Sequence, residues 1–230
     1  MRALLFTAVS TLILTVQAQA EELIHSVEIN KIDSVEFMNF QPMGWASDCT
    51  KLSTLRPAVG LSDVLDLADI VNLGEQVWKV VKENEPILEA KGMTASALPM
   101  GIQCWNQLSN WSPTRSDTYE VVYKNLYGMK VVDVKFRVIY TYGGKLKGKG
   151  NYLTNATIRF GKVNVLWGYM FNADVEIPQV VNMGSVDNPL AGMELTLNWT
   201  VNTRPISLKK SLNSMSFFIA GDGRATRVLD

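Results

Sequence analysis

From residue 163 to residue 177 every second position is apolar: Val163, Val165, Trp167, Tyr169, Phe171, Ala173, Val175 and Ile177. Asn164, Gly168, Asn172, Asp174 and Glu176 lie between them, with Leu166 and Met170 as exceptions. A period of two belongs to an extended chain with one face buried and one in water, so this run commits the protein to antiparallel sheet. The run would span roughly 50 Å if straight, longer than an ordinary strand, which predicts a bend or bulge near Gly168. The same alternation returns at Met193, Leu195, Leu197, Trp199 and Val201, and again at Met215, Phe217 and Ile219 before Gly221-Asp222-Gly223, after which the last residues are expected to be mobile. Upstream, Tyr119, Val121 and Tyr123, a turn at 125–128, and Val132, Val134, Phe136, Val138 and Tyr140 read as a hairpin. Residues 152–160 read as a further strand, and residues 23–40 as one or two strands.

One segment has a different period. Ser62 can cap a helix, with Asp63, Asp66 and Asp69 near its positive end. Leu67, Ile70, Val71, Val77, Trp78 and Val81 then recur at helical spacing until Pro86, predicting a helix over 63–84 that packs on a sheet. Residues 41–60 and 92–113 read as irregular. The expected class is therefore mainly β (α+β): an antiparallel β-sandwich with one amphipathic helix packed against it. One domain over 21–230 is the first expectation; the second divides it into an α+β part, 21–113, and a β-sandwich, 114–230. Trp78, Trp167 and Trp199 are expected in the core.

The first residues form an address label. Met1-Arg2 precedes a mostly apolar stretch to Val16, and Gln17-Ala18-Gln19-Ala20 supplies small residues at an A-x-A cleavage site. This is the pattern of a secretory signal cut after Ala20, and its length and style are bacterial. A secreted or periplasmic location follows. The chain carries 22 basic and 22 acidic residues, and cleavage removes Arg2 alone, leaving a net charge of −1. No strong field draws such a protein to nucleic acid. No later stretch approaches ~20 apolar residues, so no transmembrane helix is expected, although peripheral membrane contact is compatible with the composition. Two cysteines, Cys49 and Cys104, read in an oxidising compartment as one disulfide.

Catalytic and metal motifs are scarce. His25 is the single histidine, too few for a multi-histidine metal site, and no G-x-S-x-G elbow offers a nucleophile. Residues 143–150 superficially fit a phosphate-binding loop, but Gly150 stands where Ser or Thr would hold magnesium, and a strand follows instead of a helix. They are expected to form a flexible, solvated connection whose Lys145, Lys147 and Lys149 could touch an acidic glycan or lipid head group. No metal or cofactor is expected.

Aromatic side chains carry more information. Trp45, Trp105 and Trp111 lie in irregular segments, and the Cys49–Cys104 bridge would bring Trp45 near Trp105. They form either a cluster packed over the disulfide or an exposed platform, with Asn106, Gln107 and Asn110 for polar contacts. The leading expectation is an exported, non-enzymatic binding or structural protein. It would recognise a polysaccharide, envelope component or protein partner through loops at a sandwich end, using Trp45, Trp105 and Trp111 aided by Lys145 and Lys147. One alternative is a secreted membrane-active protein that forms a β-hairpin in lipid or binds it. Another is a hydrolase using Asp174, Glu176 and Glu194.

Overall fold

The computed structural model describes residues 24–37, 67–88, 93–102, 104–203 and 211–228. In chain order its strands are β1 (Ser26–Phe37), β2 (Ile70–Gly74), β3 (Val77–Lys82), β4 (Glu85–Pro86), β5 (Ala95–Pro99), β6 (Thr114–Lys124) and β7 (Lys130–Leu146). Then follow β8 (Lys149–Val165), β9 (Tyr169–Glu176), β10 (Val180–Asn182), β11 (Ala191–Thr203), β12 (Ser211–Ala220) and β13 (Ala225–Val228). They build two antiparallel sheets. The first runs β1-β6-β7-β8-β5-β2; the second runs β13-β12-β11-β9-β3-β4, with β10 beside β11. No helix among the described residues is long and apolar enough to cross a membrane.

Alternation explains the core. Val132, Val134, Phe136, Val138 and Tyr140 point inward from β7, opposed by Phe171, Ala173 and Val175 of β9 and by Leu195, Leu197 and Trp199 of β11 in one apolar cluster. Aromatic rings join the two layers: Tyr119 and Phe217 lie 4.9 Å apart between centroids, and Phe160 and Phe171 lie 5.8 Å apart. Each large side chain so buried contributes roughly 1.5–3 kcal/mol. Trp199, fully sheltered as expected, donates its indole N–H to the Tyr123 hydroxyl at 2.7 Å, again across the two sheets.

The helix expected over 63–84 is not formed by the described part of that segment. Residues 70–74 and 77–82 are strands, and Trp78, Val80 and Val81 are buried against the core. Gly74 departs at a φ of 126°, where an added Cβ would sit 2.2 Å from the Thr94 carbonyl oxygen. Glu83 and Asn84 both have positive φ, 49° and 75°, and close the β3–β4 hairpin. Two short strands joined by a break placed apolar residues about seven apart, which imitates two helical turns. The β-branched content of Val77, Val80 and Val81 was the opposing signal. Residues 63–66 lie outside the described residues.

Three further expectations need correction. Residues 95–99, read as irregular, form β5, buried throughout between β2 and β8, so no alternation betrays it. The C-terminal stretch after Gly223 forms β13 on the edge of the second sheet. Residues 143–150 are not a flexible connection: β7 and β8 run through them, leaving only Lys147-Gly148 as a tight turn, both at positive φ.

Candidate functional site

The two poles of the sheets carry different surfaces. One lies where β7 turns into β8. There a 3₁₀ turn, Trp105–Gln107, follows Cys104, and residues 104–113 lie along the hairpin end. Ser109 and Lys145 exchange backbone hydrogen bonds at 2.8 and 2.9 Å. The Trp111 ring lies flat enough on Gly144 that a Cβ there would meet its carbons at 2.3–2.6 Å. Its indole N–H donates to the Trp105 carbonyl at 3.2 Å. Four expected site residues, Trp105, Trp111, Lys145 and Lys147, are thus brought to one pole. Trp105, Trp111 and Lys145 are half-buried there, and Lys147 is exposed at the turn. The Gln107 side-chain carbonyl accepts the Cys104 N–H, and Asn106 and Asn110 are exposed. Trp45 and Cys49 lie outside the described residues. Cys104 is buried and is not a free thiol.

Asp174, Glu176 and Glu194 point outward from the second sheet, half-buried. Asp174 accepts from the Asn198 amide at 3.3 Å, and Glu194 from the Gln179 amide at 2.9 Å. His25 is exposed at the entrance to β1, where its backbone N–H donates to the Lys124 carbonyl. Among the described residues no group of three or more His, Cys, Asp or Glu side chains is placed to hold a metal ion.

At the opposite pole the expected turn over 125–128 and the expected bend near Gly168 carry exposed aromatic side chains that the sequence did not reveal. The long alternating run is cut at Leu166-Trp167-Gly168, which carries the chain from β8 in the first sheet to β9 in the second. Gly168 has φ 90°, and the Tyr169 N–H donates to the Leu166 carbonyl at 3.1 Å. Trp167, expected in the core, stands at the tip with 99% of its surface exposed. Beside it is the β6–β7 turn. Asn125 shapes that turn: its side-chain carbonyl accepts the N–H groups of Tyr127 and Met129, both at 3.0 Å, and its backbone carbonyl accepts that of Gly128. Tyr127 is 87% exposed, and Leu126 and Met129 are exposed with it. The Leu166 N–H donates to the Val131 carbonyl at 2.9 Å, so the two turns are neighbours across a single strand. From the β3–β4 turn, the Asn84 side chain accepts from the Phe171 N–H and donates to the Tyr169 carbonyl.

No family model matches this chain, and no curated protein or solved structure is significantly similar to it. The chemistry of the pole therefore rests on its own residues.

Charge near the aromatic tip is largely bridged, with two lysines sharing one carboxylate. Lys124 bridges to Glu28, while Lys130 and Lys162 bridge to Asp133 at 3.6 and 2.7 Å. Burial pushes the Asp133 carboxyl up, but the hydrogen bond and charge of Lys162, with Lys130 and Lys135, outweigh it and hold the group below its ordinary value. What the tip offers is a set of exposed apolar side chains, Leu126, Tyr127, Met129, Leu166 and Trp167, on two neighbouring turns whose backbone is internally hydrogen-bonded. Gly168, the improbable length of one straight strand and the turn over 125–128 were the sequence signals for it.

Proposed function

We propose that this chain is an exported, non-enzymatic binding protein. In this reading it is cut after Ala20, cross-linked between Cys49 and Cys104, folded as a two-layer β-sandwich, and recognises a glycan, envelope component or protein through loops at a sandwich end. The observation that carries the reading is the pair Tyr127 and Trp167, each exposed on one of two neighbouring braced turns. Large apolar side chains left in water at loop tips are costly to solubility, and a patch of them marks a contact surface. The half-buried Trp105 and Trp111 then serve to fasten residues 104–113 to the β7–β8 hairpin, leaving Lys147 as the accessible member of that set.

The test is binding of the mature, oxidised protein to purified envelope glycans, lipid vesicles and isolated envelope fractions, with the double variant Tyr127→Ser/Trp167→Ser alongside. Loss of binding in the variant at unchanged melting temperature supports the reading; equal binding by both proteins removes it. Export is checked separately, by an N-terminus at Glu21 in protein recovered outside the cytosol.

A further inference from the structure

We propose that the tip built from Leu126, Tyr127, Met129, Leu166 and Trp167 docks on a phospholipid bilayer and lodges in its interfacial layer. This rests on reading the tip as the contact surface and names what it contacts. Tryptophan and tyrosine have an apolar body and one polar edge, which suits the head-group level of a bilayer, while leucine and methionine suit the acyl boundary just below. All five side chains are exposed at the same pole.

Two observations favour lipid over a sugar or an acidic polymer. A sugar ring needs amides or carboxylates beside the aromatic face. At this tip two amides are engaged with backbone, the Asn125 side-chain carbonyl with the Tyr127 and Met129 N–H groups and Asn84 with Phe171 and Tyr169, which leaves Asn164 as an exposed amide on the end of β8. An acidic polymer needs a strong surplus of cations, but here Lys124 is bridged to Glu28 while Lys130 and Lys162 share Asp133, which leaves a single net positive charge in the set. A nearly balanced collar of charge around an apolar tip fits the neutral, zwitterionic surface of an ordinary phospholipid. The turns are also preformed, so insertion orders little chain.

The experiment is flotation of the mature, oxidised protein with vesicles of phosphatidylcholine alone, and with phosphatidylglycerol added. Wild type is expected to float with the neutral vesicles, with little change between about 0.05 and 0.5 M salt. Tyr127→Ser/Trp167→Ser should bind at least about tenfold more weakly. Lipids brominated near the head group should quench wild-type fluorescence more than that of Trp167→Phe. Should the double variant fold poorly, Leu126→Ser/Leu166→Ser is the substitute with the same expectation. Failure to bind neutral vesicles, a strict need for anionic lipid, or equal binding by the variants overturns the proposal. If a glycan or protein ligand is lost in the double variant while vesicles are never bound, the bilayer assignment falls and the tip remains the contact surface. If the double variant binds every tested ligand as wild type does, both fall.

Discussion

The hydrogen bond from the Trp199 indole to the Tyr123 hydroxyl joins the two sheets inside the core. Burial pushes the Tyr123 phenol up and that hydrogen bond pulls it partly back, so the phenol is neutral at physiological pH and can accept. Trp199→Phe removes the donor and leaves a buried hydroxyl with one partner fewer. It should lower stability by about 1–3 kcal/mol, read as a shifted urea midpoint at unchanged slope. Asp133, half-buried among lysines, makes a prediction in pH. Its carboxyl is held below the ordinary value of 3.8, so its contribution is full above that pH and disappears as the pH falls through 3.8 to the folded value. Asp133→Asn should therefore differ most from wild type near neutral pH and converge with it in acid. A stability gap that widens in acid would show that the lysines are not what holds Asp133 ionised.

At the scale of elements, the segment 104–113 depends on the close approach of Trp111 to Gly144. Gly144→Ala places a methyl group inside the indole contact and should loosen this segment. Trp111→Ala should cost roughly 2 kcal/mol, less than a fully buried tryptophan, and should raise the rate of proteolytic cleavage within 104–113. If either variant resists protease as wild type does, the ring is not what fastens the segment. Individual strands were legible in the sequence wherever one face met water: β7, β9, β11 and β12 place the expected residues in the core. Trp167 was misplaced for a definite reason. The turn between Val165 and Tyr169 contains an odd number of residues, so the alternation passes through it without a change of phase. A turn of even length would have broken the pattern. The helix over 63–84 failed for a related reason, because two short strands about seven residues apart share the spacing of helical turns.

At the scale of the molecule, pairing order was not legible, because β5 joins β8 and β3 joins β9 across long stretches of chain whose contact depends on the finished fold. The expected site was partly legible: Trp105, Trp111, Lys145 and Lys147 do share a pole, since β7 and the 104–113 segment meet there. The aromatic tip was not, since exposure of a tryptophan is a property of the turn that holds it. The proposed Cys49–Cys104 bridge belongs to this scale too. It would close a loop of 56 residues, and its removal by Cys104→Ser should cost about 4 kcal/mol. The intact oxidised protein should show no titratable thiol after denaturation; two thiols would exclude the bridge.

β7 and β8 run 17 residues each, from the Tyr127–Trp167 turns at one extremity to the Lys147-Gly148 turn at the other. A straight ladder of that length would reach roughly 50 Å; four register shifts between β7 and β8 bend this one and shorten its reach, while its hydrogen bonds hold the two ends in one body. Anchored by its aromatic foot, such a body would stand off like a mast. Lys147 would then be held at a fixed height above the anchoring plane, set by the strands and not by any tether.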